Sequence, residues 1–223
     1  HELVRSSHAV GHRRIRYDFS MRLDDGRNMF CSKLVRYAFE KGSNGHYRLP
    51  RYPTTIAMKN RDFLDRIGVK AEQTYAPADI DIESAFDLVA EWQDYRETSN
   101  IRLQDFTMDK LFEWMETHGM RFEETAAIRV VSLLGRFSSH FSDGAKQMLS
   151  SVFPRVPRNM PRKTVAAVAM LHKTAEPIYR ELQALEASCV AETGRPLHGE
   201  EIFSYLEELR VREDGHIGYL TAK

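Results

Sequence analysis

The chain has 223 residues with 32 basic and 32 acidic side chains, and its apolar and charged fractions of 42% and 29% are typical of globular proteins. A formal net charge of zero argues against a strongly basic nucleic-acid-binding protein, so we expect no nucleic acid among its partners. No apolar run approaches the ~18 residues of a membrane-spanning helix, so we expect no transmembrane segment.

The chain begins with His1 rather than Met, and no charged-then-apolar leader pattern follows. We therefore expect that residues upstream of His1 belong to the protein, and the compartment stays open. Two cysteines, Cys31 and Cys189, are too few for a disulfide scaffold and leave room for one reactive thiol.

The first third is polar and rich in Arg and His up to residue 30. From Cys31 onward, apolar side chains recur three, four, seven and eight positions later, which predicts an amphipathic helix that ends near Gly42. A short helix is expected over Arg61–Ile67, followed by a strand within residues 69–76 and a turn or strand entry at residues 77–80.

After about residue 100 the pattern is helical, with a further helix over residues 126–141 and a long one over residues 164–191, kinked or interrupted at Pro177. Residues 152–163 are expected to form a linker rich in Pro and Arg. Two apolar faces mark the remaining helices, one formed by Leu111, Trp114 and Met115 and the other by Ile202, Leu206 and Leu209.

Cys31 is placed where a nucleophilic thiol is useful. A helix N-terminus carries unpaired N–H groups and a partial positive charge, which favour thiolate over thiol and can receive an oxyanion formed on an attacked substrate. The alternative is a small buried apolar residue, which is the usual role of a free cysteine. Cys189 fits that alternative, because it lies within the long helix with no helix terminus nearby.

Two segments favour the catalytic interpretation of Cys31. The first combines Tyr17-Asp18-Phe19 with Phe30-Cys31-Ser32-Lys33-Leu34-Val35, and the second combines Pro77-Ala78-Asp79-Ile80 with Phe86-Asp87-Leu88-Val89-Ala90-Glu91-Trp92. Over about residues 15–92, the chain thereby resembles the circularly permuted NlpC-like papain-fold cysteine hydrolases, the YiiX/YaeF/YebB-like branch. Lys33 replaces the usual acidic residue of the cysteine box, and we expect its side chain to face outward.

The resemblance implies a papain-like half-barrel in which the cysteine helix packs on a small antiparallel sheet. It also implies a Cys–His pair that acts on an amide, ester or thioester through an acyl-cysteine, with Cys31 as nucleophile. Tyr17 is the implied oxyanion-site residue, although a half-buried packing role is equally compatible with its position. Ser32, the next residue of the box, joins Tyr17 as an oxyanion or substrate-binding candidate.

The permuted order of the family places the catalytic histidine before the cysteine, in a Gly-His-apolar strand. His1, His8 and His12 precede Cys31 among polar neighbours and are more typical of solvated histidines, so we expect the base upstream of His1. His46 follows in a loop, and the permuted order argues against it.

We expect neither a metal nor a cofactor. Asp79, Asp81 and Glu83 alternate as metal ligands can, but no EF-hand pattern is completed and a solvated strand edge fits better. Arg155, Arg158, Arg162 and Lys163 form a basic cluster that is most simply an exposed linker.

The sequence therefore predicts an α+β protein: a permuted papain-like region over residues 1–95 and a helical region over residues 96–223, a possible homo-oligomer surface. The leading function is a thiol hydrolase acting on a small-molecule, lipid or peptide substrate. An acyltransferase of the lecithin:retinol acyltransferase type and a non-catalytic helical scaffold remain alternatives.

Overall fold

A computed structural model of the chain describes residues 15–24, 26–90, 94–126, 128–129 and 159–222. This part of the chain is a mixed α+β structure with about 55% helix and small sheets, which confirms the coarse fold class. The chain divides into two compact units. The first takes the described residues of 1–57, 64–91 and 157–161, and the second takes those of 58–63, 92–156 and 162–223.

The first unit contains most of the short elements. Strand β1 (Arg16–Tyr17) pairs in parallel with β2 (Asn28–Met29), and helix α1 (Cys31–Gly42) follows directly. Strand β3 (Thr54–Thr55) pairs antiparallel with β4 (Gln73–Thr74). Helix α2 (Arg61–Ile67) ends in this unit at Gly68, whose φ of 89° suits the left-handed residue after a helix.

Three sequence expectations for this unit are confirmed, and one needs correction. Helices α1 and α2 begin and end where the apolar spacing and the two glycines predict. The strand expected within residues 69–76 is β4, whereas a 3-10 helix over Pro77–Ile82 replaces the expected turn or strand entry. Pro77 favours this helix because its ring fixes φ at a helical value in the first turn.

The second unit is helical. Its described helices include α3 (Tyr95–Thr117), α4 (Arg162–Thr193) and α5 (Gly199–Arg212), and a small antiparallel sheet is formed by β5 (Arg121–Phe122), β6 (His216–Ile217) and β7 (Leu220–Thr221). Strand β7 lies between the other two. Helix α3 packs against both α4 and α5, and β5 packs against α4.

The predicted apolar faces of α3 and α5 form the core of this second unit, since Leu111, Trp114, Ile202 and Leu206 are fully buried. A buried carboxylate, that of Glu186 on α4, accepts hydrogen bonds from two side chains of α3 and from the backbone N–H of Leu197. None of the described helices is long and apolar enough to cross a membrane.

Helix α4 continues through Pro177, so of the kink or interruption expected there, the interruption is wrong. Pro177 itself is exposed, whereas Thr174 and Ile178 beside it are buried. The hydrogen bond that proline removes is therefore outweighed by packing of the buried face. The helix expected over residues 126–141 and most of the linker expected over residues 152–163 lie outside the described residues.

Candidate functional site

Cys31 is the first residue of α1, and its side chain is exposed. The residue before it, Phe30, is extended, with φ −118° and ψ 169°, and its apolar side chain supplies no cap to the helix. The first helical hydrogen bond runs from the Leu34 N–H to the Phe30 carbonyl, at 3.0 Å. The N–H groups of the three residues before Leu34 therefore have no helical partner and lie in the turn that carries the thiol, where an oxyanion can be bound.

The helix behind the thiol is held from two sides. Phe30 is buried at its start. Near its other end, the ring of Phe39 contacts that of Phe86, with the ring centroids 4.8 Å apart and nearly perpendicular. This packing fixes α1 within the first unit while Cys31 stays open to solvent.

Tyr17 lies beside the cysteine because of the parallel pairing of β1 with β2. Its register partner is Met29, two residues before Cys31, and the N–H of Asp18 donates to the Met29 carbonyl at 3.0 Å. Burial raises the pKa of the Tyr17 phenol above its ordinary value, and the negative charge of the Cys31 thiolate and then that of Asp18 raise it further. The phenol therefore stays protonated and can donate a hydrogen bond next to the thiol.

Lys33 does not face outward, so the sequence expectation for it is wrong. Only 4% of Lys33 and 3% of Asp18 is exposed, and the Lys33 ammonium lies 2.9 Å from the Asp18 carboxylate. The ammonium also donates to the Arg22 carbonyl at 2.7 Å. Side chains in a first helical turn point back toward the N-terminus, which brings Lys33 to the end of β1, where Asp18 lies.

Asp18 has further partners in addition to Lys33. Its other carboxylate oxygen accepts hydrogen bonds from the Ser20 N–H at 3.0 Å and from the Ser20 hydroxyl at 2.5 Å. Since Tyr17 directly precedes Asp18 and Cys31 begins the turn that carries Lys33, the ion pair fixes the phenol relative to the thiol. Lys33 thus has a structural role that the sequence pattern did not reveal.

Ser32 is buried, and its hydroxyl oxygen lies 3.7 Å from the Cys31 sulfur. A buried hydroxyl is poorly placed to touch a substrate. The contribution of Ser32 to an oxyanion site would therefore come through its backbone N–H in the first turn of α1.

Among the described residues of the first unit, His46 is the one histidine, and it lies at the wrong end of α1. Its Nδ1 is 2.7 Å from the Ser43 carbonyl, just beyond the C-terminus of the helix. About 16 Å of helix separates Cys31 from Gly42, at 1.5 Å per residue. His1, His8 and His12 lie outside the described residues.

Cys189 lies within α4, and its sulfur is 3.6 Å from the Thr193 hydroxyl. It lies one turn before the C-terminus of α4, not at a helix N-terminus. Its side chain is half-buried, so it is not the fully buried apolar residue that the sequence suggested.

Asp79 and Glu83 do not form the solvated strand edge that the sequence suggested, because both are buried. Asp79 lies in the 3-10 helix and accepts hydrogen bonds from the N–H groups of Thr54 and Ala76, at 3.1 and 2.8 Å. Glu83 follows that helix and accepts from the Arg51 N–H. These carboxylates satisfy backbone donors of the β3 and β4 region, and within the described ranges no group of three or more His, Cys, Asp or Glu residues could hold a metal ion.

Sequence reasoning missed a polar cavity of about 730 Å³ in the first unit. It is lined by twelve residues, Arg16, Tyr17, Asp18, Phe19, Ser20, Arg22, Asp24, Gly26, Arg27, Asn28, Lys70 and Asn159. Tyr17 thus borders this cavity as well as lying beside Cys31. The arginines all fall in the polar segment before residue 30, but nothing in the pattern indicates that Lys70 and Asn159 join them.

In comparisons with known proteins, no family model, no curated protein and no solved structure matches the chain.

Proposed function

We propose that this protein is a thiol hydrolase that cleaves an amide or ester bond through an acyl-cysteine on Cys31. The observation that carries the proposal is the position of the exposed Cys31 thiol at the uncapped N-terminus of α1, beside the protonated phenol of Tyr17. The nucleophile and the N–H donors share the first turn of α1, and the hydroxyl donor lies on the neighbouring strand, which is the set of groups that acyl transfer uses.

In the proposed reaction the Cys31 thiolate attacks the carbonyl carbon, and the C–O double bond opens to an oxyanion. The N–H groups of the first turn of α1 and the Tyr17 hydroxyl stabilise that oxyanion. The bond to the leaving alcohol or amine then breaks, the leaving group takes up a proton, and water hydrolyses the thioester to regenerate the thiol.

The finer fold assignment belongs to the same proposal. We assign the first unit to a circularly permuted papain-like region. The cysteine at the start of α1 and the antiparallel pairing of β3 with β4 support this assignment.

The proposal is tested by trapping the acyl-enzyme. Incubation with 4-nitrophenyl acetate is expected to release one equivalent of nitrophenol in a burst and to leave a hydroxylamine-sensitive acetyl group on the Cys31 peptide. Cys31→Ala should reduce turnover on the order of a thousandfold or more. Its free energy of unfolding should fall by at most ~1–2 kcal/mol, because few atoms are lost.

Cys189→Ala is the matched control and should retain full turnover. Alkylation by iodoacetamide at pH 7 supplies a second test, in which each cysteine is compared with itself in the urea-unfolded chain. Folding should accelerate alkylation of Cys31 about tenfold and slow that of Cys189. Turnover that survives Cys31→Ala would refute the proposal, and equal slowing of both cysteines would favour a scaffold.

The position of the general base is tested separately. His8→Ala and His12→Ala are each expected to leave turnover within a fewfold of wild type, because polar neighbours do not fix an imidazole against a thiol. Loss of a general base typically costs ~10²–10⁴ in rate. A hundredfold decrease in either variant, with unchanged thermal melting, would identify that histidine as the base.

A further inference from the structure

The cavity beside Tyr17 has an excess of positive charge although the whole chain is neutral. Its lining contributes four cationic side chains, those of Arg16, Arg22, Arg27 and Lys70, against two carboxylates. Both carboxylates already have cationic partners. Asp18 is paired with the buried Lys33, and Asp24 lies 2.6 Å from the Arg22 guanidinium.

Arg16 and Lys70 stand out within this set. Both are exposed, and neither forms an ion pair within the part of the chain that the structure describes. They come from separate parts of the first unit, which are joined where the N–H of Lys70 donates to the Ser20 carbonyl at 3.1 Å. Backbone contacts of the fold therefore bring Lys70 to the segment that carries Arg16.

Neutral donors complete the lining. Arg16 lies opposite Asn28 in the β1–β2 register, and the amide of Asn159 donates to the Tyr17 carbonyl at 2.7 Å. Guanidinium, ammonium and amide N–H groups around one cavity are the set that binds a carboxylate or a phosphate. A cavity of about 730 Å³ has room for such a group and the chain that carries it.

Tyr17 links the cavity to the proposed nucleophile. It borders the cavity and lies opposite Met29, two residues before Cys31. We propose that this cavity binds an anionic oxygen group, a carboxylate or a phosphate, and that the substrate carries this group beside the bond cleaved at Cys31. The claim that the substrate carries this group rests on the proposed function, whereas the claim that the cavity binds an anion does not.

Binding is measured first, without any turnover, on the Cys31→Ala protein. Sodium glutarate and inorganic phosphate serve as separate probes of the two anion types, in calorimetric titrations at constant ionic strength. The double substitution Arg16→Gln and Lys70→Gln is expected to weaken binding of the preferred probe about tenfold or more, since two charge-assisted contacts are lost. The matched control carries Lys41→Gln and Arg48→Gln, at two exposed cations of the same unit outside the cavity lining. It should bind the probe as tightly as the parent protein does.

Turnover is measured second, as a ratio of two esters within each variant. Wild type should hydrolyse the mono-4-nitrophenyl ester of glutarate with a kcat/KM about tenfold above that of its uncharged methyl-capped analogue. If the phosphate probe is preferred, a phosphate-bearing ester replaces the glutarate one. In the Arg16→Gln and Lys70→Gln protein the ratio should fall toward one, while the control keeps it, and added salt should reduce it in wild type.

The results separate the two proposals. Absence of binding by both probes, or binding unchanged by the double substitution, overturns the anion site even if esters are hydrolysed. Binding that depends on Arg16 and Lys70 supports the anion site even if no ester is hydrolysed. Hydrolysis without any preference for the charged ester overturns the assignment of that site to the substrate.

Discussion

The buried ion pair between Lys33 and Asp18 gives the strongest prediction for stability. Replacing Lys33 with Met preserves the length and apolar stem of the side chain but removes the ammonium group. The Asp18 carboxylate, which is 3% exposed, then keeps only its two hydrogen bonds from Ser20. Removing one partner of a buried pair costs about 3–5 kcal/mol, because the remaining charge is left without compensation.

The measurement is urea unfolding followed by far-ultraviolet circular dichroism, with hydrogen exchange over residues 31–42 as a local reporter of α1. With an m-value of about 2 kcal/mol/M, the midpoint of Lys33→Met should fall by about 1.5–2.5 M. Lys41→Met is the matched control, because Lys41 is an exposed lysine in the last turn of the same helix. Its effect should stay within about 0.5 kcal/mol.

A double-mutant cycle isolates the interaction. Asp18→Asn alone leaves the Lys33 ammonium buried without its counterion, whereas the double variant leaves neither charge. The double variant should therefore be more stable than the sum of the single effects predicts, by about 2–3 kcal/mol. Additivity within about 0.5 kcal/mol, or a Lys33→Met protein as stable as the Lys41→Met control, would refute the buried pair and restore an outward-facing Lys33.

Two further predictions concern titration. The phenol of Tyr17 should titrate above its ordinary pKa of 10.0, chiefly because of burial and secondly because of the Cys31 thiolate, so Cys31→Ala should lower that pKa. Nuclear magnetic resonance of tyrosine-labelled protein measures this, with Tyr17→Phe assigning the signal, and an unchanged pKa would contradict their proximity. The pKa of Glu207 is lowered from 4.5 to about 2, first by its hydrogen bond from Arg210, so its contribution to stability is complete above pH 4.5 and is lost as the pH falls toward 2. The difference in urea midpoint between wild type and Glu207→Gln should therefore narrow between pH 4.5 and 2, and Glu208→Gln, at an exposed position on the same helix, should show no such narrowing.

The sequence was sufficient for the local elements that repeat with a helical period. Apolar positions after Cys31 and a terminal glycine predicted α1, and the faces around Trp114 and Leu206 predicted helices that the structure buries. These features depend on neighbours three or four residues apart, so the sequence contains the relevant contacts. The position of Cys31 at a helix start follows from the same local pattern.

Ion pairs and hydrogen bonds between residues far apart in the sequence could be identified only from the tertiary structure. Lys33 was expected to face outward because a charged side chain is usually solvated. Only the tertiary structure places the Asp18 carboxylate, at the end of β1, beside the Lys33 ammonium, and this ion pair allows the lysine to be buried. Asp79 and Glu83 looked solvated for the same reason, until N–H groups some 25 and 32 positions away were found to bind them. Burial of a charge depends on its partner, and a local pattern does not contain that partner.

Some residues of the candidate site could be predicted from the sequence, and others were identified only from the tertiary structure. The place of Cys31 at a predicted helix start made it the nucleophile candidate, and Tyr17 became an oxyanion-site candidate through the resemblance of the two segments to a cysteine box. Only the tertiary structure brought Lys70 and Asn159 to Arg16 in β1 and to the two arginines between β1 and β2, and so created a cationic cavity in a chain with no net charge. Net charge is a sum over the whole chain, whereas the field at a site depends on which charges the fold brings together.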